Sequence, residues 1–181
     1  MVTDEDIIEA TITTLAHKPE ATMQEIAREA GVSRITINRR FGSRNDLLQI
    51  AATYSLDLFE DILLNAQKSR KPPLDQIRQI FEGYAGLSNH YFFWMRGFVE
   101  DRKKYETIFL NQLAMVEKLV LAAQDRGELR KDLPTGWIAG MFDYLAITVN
   151  SSLNRGVIAQ RDALNLGWDT FLNGVSPKKF F

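Results

Sequence analysis

The sequence predicts an all-α protein of two parts: a three-helix head containing a helix-turn-helix, then a larger helical body. Three observations carry this. Between Thr22 and Leu48 a helix start, a glycine stop and two further helix starts follow one another within 27 residues. Apolar residues recur at helical spacing along most of the 181-residue chain. No segment shows convincing strand alternation or an Asn-Gly or Asp-Gly hairpin signal.

The first helix is expected from about Asp4 to Ala16, with an acidic first turn suited to the positive end of the helix dipole and Ile8, Ile12 and Leu15 inward. Pro19 marks the break after it. Thr22 followed by Glu25 fits a capping box, in which hydroxyl and carboxylate each satisfy a free backbone donor. Ile26, Ala27 and Ala30 form the apolar stripe of the helix so started, and Gly31 ends it. Val32 plugs the corner, Ser33 caps the next helix, Arg34 to Arg40, and Ile37 turns inward with Phe41. A helix-turn-helix of this kind presents its second helix to a DNA major groove.

Ser43 with Asp46 opens a long helix carrying Leu47, Ile50, Ala51, Tyr54, Leu58, Ile62 and Leu63, closed near Pro72-Pro73. Further helices are expected at about Leu74–Ser88, Tyr91–Phe98, Lys103–Arg126 (stopped by Gly127), Thr135–Leu153 (capped by Thr135) and Arg161–Leu172. The natural division is residues 1–46 as head and 47–181 as regulatory and dimerisation body. Apolar residues of 135–172 cover more than one helix face, so a second partner is expected there, in preference to the competing reading that they are simply the core of this domain. A homodimeric four-helix bundle, with Leu145 and Trp168 outward, supplies it.

Charge supports a DNA partner. Lys+Arg number 22 against 23 Asp+Glu, yet between Ala30 and Asn45 the only charges are Arg34, Arg39, Arg40 and Arg44. Arginine neutralises phosphates and also reads guanine edges. An ordinary solvated helix face is the competing reading for a basic run, but it fits less well on a helix-turn-helix.

Composition excludes other classes. With no cysteine there are no disulfides or thiolate metal sites, and His17 and His90 read as helix-surface or loop residues rather than ligands. No metal and no cofactor is expected. The acidic MVTDEDII start is unlike a signal peptide and no apolar run approaches the ~20 residues needed to span a bilayer, so a cytoplasmic chain without a membrane role is expected. The acids Glu100, Asp101, Asp143 and Asp169 form no motif with a nucleophile or base, which argues against an enzyme. Asp143 reads as an exposed polar position in preference to a buried acid facing a cationic ligand.

With these residues in view, the chain resembles the TetR family of bacterial transcriptional regulators. The likeness rests on Thr22, Ile26, Ala27, Ala30-Gly31-Val32-Ser33, Thr36-Ile37 and Phe41, on Ser43-Arg44-Asn45-Asp46-Leu47-Leu48, and on a second stretch from Ala123 to Pro134. The resemblance implies a DNA-binding head, a variable ligand-binding body, and a homodimer on a palindromic operator. It implies DNA contacts from Gln24, Arg34, Ile35, Thr36, Asn38, Arg39, Arg40 and Arg44, the last gripping a phosphate. Asn38 stands where the family often has tyrosine, and Arg39-Arg40 where it often has a His-Tyr pair. Asparagine suits an adenine edge and the added arginine suits phosphate.

Eleven aromatics fall in the 62 residues from Phe81 to Phe142, dense against a chain average of 10%. Most are expected to be core. A small apolar or aromatic effector is nevertheless expected among Phe81, Tyr84, Trp94, Phe98, Tyr105, Phe109 and Phe142, releasing DNA by population shift and making the protein a repressor. The alternative is a helical DNA-binding or interaction protein with no effector.

Overall fold

The computed structural model describes residues 1–98 and 102–177, so Glu100 and Asp101 lie outside the described residues. Among these the chain is helical, without a strand: α1 (Asp4–His17), α2 (Met23–Glu29), α3 (Arg34–Phe41), α4 (Arg44–Lys68), α5 (Pro73–Ala85), α6 (Ser88–Met95), α7 (Arg102–Asp125), α8 (Thr135–Asn154) and α9 (Gln160–Val175). Each expected helix is present, most with ends shifted by only a few residues. An all-α chain with an N-terminal helix-turn-helix followed by a helical C-terminal part is thus what the molecule is.

The described chain forms two compact units. Among the described residues, the first takes 1–58, 89–98 and 102–103; the second takes 59–88 and 104–177.

In the first unit, Thr3 and Thr22 each head a complete capping box, with Asp6 and Glu25, and the Ser33 hydroxyl accepts from the Thr36 amide. The Lys18 ammonium and the donors of Thr22 together hold the Glu25 carboxyl down to about 2. Gly31 takes φ 68° at the turn, a left-handed conformation that glycine enters without steric cost, and the Val32 amide returns to the Ala27 carbonyl at 2.9 Å. Helices α1, α2 and α3 pack in sequence around Ile8, Ile12, Leu15, Ile26, Ile37 and Phe41. Val32, expected inside, is only half-buried, and Ile50 of α4 is exposed.

His90 corrects the surface reading. It is buried in α6, its Nδ1 3.0 Å from the Ser55 hydroxyl and its Nε2 3.4 Å from Glu9. Burial lowers its pKa below the usual histidine value, opposed by the nearby Glu9 carboxylate. His17 is exposed and pairs with the Asn89 side chain at 3.0 Å.

The second unit is organised by aromatic packing where α5, α8 and α9 meet. Phe142 touches Phe81 at 5.8 Å, Phe171 at 5.9 Å and Tyr84 at 6.1 Å between ring centroids. Trp168, expected outward, lies 5.5 Å from Phe171 and 6.0 Å from Phe81 and is only 6% exposed. Burying its large apolar area on the three-helix core outweighs leaving it for a partner. Leu145 is half-buried. Thr135 is not a cap but the first residue of α8; its hydroxyl donates to Gln124 Oε1 at 3.0 Å, while the Gln124 amide donates to the Arg130 and Leu133 carbonyls. This buried glutamine pins the loop that follows Gly127.

Candidate nucleic-acid interface

The outward surface of α3 is assembled by what its inward surface must do. Ile37 and Phe41 are buried in the first unit, which fixes the rotation of the helix. At 3.6 residues per turn, Arg34, Asn38, Ile35 and Arg39 then fall in that angular order over about 140° of circumference. All four are exposed.

The four arginines divide into two kinds. Arg40 Nη1 donates to the Val2 carbonyl at 3.0 Å and lies 3.4 Å from Asp4, tying the recognition helix to the start of α1. Arg44 Nη1 donates to the Ala21 carbonyl at 2.6 Å, bracing the entry to α2. A guanidinium has five N–H donors, so each retains donors for a second acceptor. Arg34 and Arg39 are exposed and form no ion pair among the described residues. Gln24 is exposed on α2. Thr36 is half-buried, and its hydroxyl sits 2.9 Å from Ser33 Oγ within the cap of α3, so part of its hydrogen-bonding capacity is already used. Both long-range arginine contacts lay beyond what local spacing reveals, for they join residues 38 and 23 positions apart.

The seven aromatic positions separate. Phe81, Tyr84 and Phe142 meet in the ring cluster of the second unit, and Phe81 and Phe142 are fully buried. Tyr105 is buried on α7 with the Lys104 ammonium 5.4 Å from its ring centre, while Phe109 is exposed. Trp94 and Phe98 belong to the first unit, where both are half-buried and Phe98 lies 5.3 Å from Phe93. Two polar groups accompany the cluster that sequence inspection did not connect to each other. Burial, reinforced by the Asp143 charge, raises the Tyr84 hydroxyl well above the usual tyrosine range. Asn150 is fully buried and its amide donates to the Tyr84 carbonyl at 3.3 Å, leaving its Oδ1 without a protein partner. Asp143 is half-buried rather than exposed.

Among the described residues no helix is long and apolar enough to cross a membrane, and no group of three or more His, Asp or Glu is placed to hold a metal.

Comparison with known proteins bears on the whole chain. The family model for bacterial regulatory proteins of the tetR family matches residues 7–51, the segment that builds α1 to α3 and the start of α4. The HTH-type transcriptional regulator NfxB of Pseudomonas aeruginosa is 23% identical over 176 residues, covering 96% of this chain and 94% of that protein. The HTH-type transcriptional repressor LfrR of Mycolicibacterium smegmatis is 28% identical over 138 residues, covering 75% and 71%. In fold, the chain superposes on the crystal structure of the TetR-like regulator LfrR from Mycobacterium smegmatis in complex with proflavine, with TM-score 0.76, 20% identity and 96% of each chain covered. The ketosteroid transcriptional regulator KstR2 of Mycobacterium tuberculosis gives TM-score 0.80 at 14% identity, with 98% of each covered. A head built as a capped helix-turn-helix, a match to that head and relatives aligned along both halves point the same way: residues 7–51 carry the head of the tetR family of bacterial regulatory proteins, and the chain is similar along its length to transcriptional regulators of that kind.

Proposed function

We propose that the protein is a repressor that binds a palindromic DNA operator as a homodimer and is released by a small apolar or aromatic effector. The observation that carries this is the outward surface of α3, where Arg34, Ile35, Asn38 and Arg39 are free to meet a groove while Ile37 and Phe41 lock the helix in place. Residues 1–46 supply DNA binding and 47–181 regulation and dimerisation. Gln24, Arg34, Asn38 and Arg39 are assigned to base edges or phosphates; Arg40 and Arg44 offer phosphates the donors their tethers leave over, and Thr36 the capacity its cap contact leaves.

The dimer reading rests on α8 and α9. Trp137 and Tyr144, seven residues apart on one side of α8, are 62% and 72% exposed, and Leu164 and Leu166 of α9 are exposed as well. Large apolar side chains grouped this way suit burial against a second copy. The effector reading rests on the aromatic cluster around Phe142 with its polar companions Tyr84, Asp143 and Asn150, and on the relative LfrR, whose structure was solved with proflavine. No catalytic role is assigned to any residue.

Selection of duplexes from a random pool is the test. The expected result is an enriched palindrome, bound by wild type and lost together with the dimer in Tyr144→Arg. Arg44→Ala is expected to weaken all sequences alike and lower the salt slope by about one. Arg39→Ala or Gln24→Ala costs about 1–3 kcal/mol at a base it reads. A pool that enriches no palindrome, or a wild-type monomer at micromolar concentration by light scattering, refutes the proposal. A thermal-shift screen of aromatic compounds, with operator release as readout, tests the effector.

A further inference from the structure

Ile35 is the second residue of α3 and is 79% exposed. Nothing in the fold accounts for it. The inward positions are already filled by Ile37 and Phe41, and isoleucine is a poorer helix former than alanine or the straight-chain residues. Its neighbours on the outer surface are Asn38 and Arg39, three and four positions on, with Arg34 beside it. Ile35 is thus the one apolar group on an outward surface otherwise made of two arginines and an amide. That surface attracts DNA, so its occupant is a duplex rather than an apolar protein face.

We infer that Ile35 is a specificity residue that packs against the 5-methyl group of a thymine in the major groove of each operator half-site. The inference rests on the DNA-binding reading above and goes further by naming what is read. Residues at the start of a recognition helix are those that reach base edges. The thymine methyl is the apolar feature of the major-groove edge, and a side chain with no donor or acceptor can discriminate there only by filling space against it. Asn38 has the amide that pairs with adenine N6 and N7. Residues three apart on a helix surface have Cβ atoms about 5–6 Å apart, and base pairs rise about 3.4 Å per step. The thymine met by Ile35 therefore lies within about two base-pair steps of the adenine met by Asn38.

The test starts from the duplex enriched by the full-length protein. Each thymine of the half-site is replaced by deoxyuridine, which removes the methyl and keeps the pairing, one position at a time and then symmetrically. Wild type, Ile35→Ala and Ile35→Val are compared at fixed salt. One thymine position is expected to cost wild type about fourfold in affinity per half-site and about fifteenfold when both are replaced, the worth of one buried carbon. Ile35→Val retains most of that loss, whereas Ile35→Ala binds the thymine and uracil duplexes nearly alike. Deoxyuridine scans that affect wild type and Ile35→Ala equally, or that affect neither, overturn the inference while leaving operator binding intact. Failure to enrich any duplex overturns the DNA-binding reading beneath it. Because Ile35 is 79% exposed, Ile35→Ala should keep the wild-type melting temperature, which separates lost recognition from lost folding.

Discussion

The two units are specified in different languages. In the first, α1, α2 and α3 each begin at a side-chain cap: Thr3, Thr22 and Ser33. The start of α4 is arranged the same way, with Ser43 and Asp46 exchanging hydrogen bonds. In the second, α5, α8 and α9 follow Pro72, Pro134 and Ala159, none of which makes a side-chain cap bond. Helices as short as α2 and α3, with seven and eight residues, are marginal alone and gain from every satisfied end. Helices of 13 to 20 residues in the second unit instead rely on what their faces bury, here Phe81, Phe142, Trp168 and Phe171. A small head that must present a fixed surface is locally encoded, and the body is held by contacts between residues distant in sequence.

Substitutions can break this contrast. The largest effect is expected from Phe142→Ala, about 3–5 kcal/mol of stability in chemical denaturation, because it empties the centre of the ring cluster. Gly167→Ala comes next at about 1–3 kcal/mol. A Cβ there would meet Val149 Cγ2 at 2.6 Å and Phe81 Cζ at 2.7 Å, so α9 would be forced away from α5 and α8. Removing a cap by Thr22→Ala costs about 1 kcal/mol. If Thr22→Ala proves as damaging as Phe142→Ala, the proposed difference between the units is wrong.

The mildest test uses pH and sharpens the account of the first unit. His90 is buried with its pKa lowered, so the folded protein holds it neutral while the unfolded chain protonates near 6.5. Its contribution is complete above that value. As pH falls below 6.5 the unfolded state binds the proton first, and stability declines until the lower folded value is reached. Melting temperature should therefore drop between pH 7 and 5 more steeply in wild type than in His90→Phe. Equal slopes would show that the Ser55–His90–Glu9 contacts do not govern acid sensitivity.

The same contrast explains what could be read in advance. Thr22, Gly31, Ser33 and Ser43 act within three or four residues, so their spacing places the helix-turn-helix and the start of α4. Thr3 with Asp6 obeys the same rule and is equally readable. His90 is not, because its burial depends on Ser55 and Glu9, 35 and 81 positions away in sequence. Trp168 misleads for a related reason: a helix with more than one apolar face does not say which face meets its own chain. The aromatic density between Phe81 and Phe142 signals a core correctly, but the rings divide between two units, which only the path of the chain decides.

The tether from Arg40 to the Val2 carbonyl has a consequence for handling the protein. Any peptide fused directly ahead of Val2 emerges beside the recognition helix. An acidic label there would place its charges within about one Debye length, roughly 10 Å at 0.1 M salt, of the guanidinium that holds the junction. Such a label would screen or mimic phosphate and shift both the apparent affinity and its salt dependence. Binding constants measured on material labelled at that end would describe the label as much as the protein.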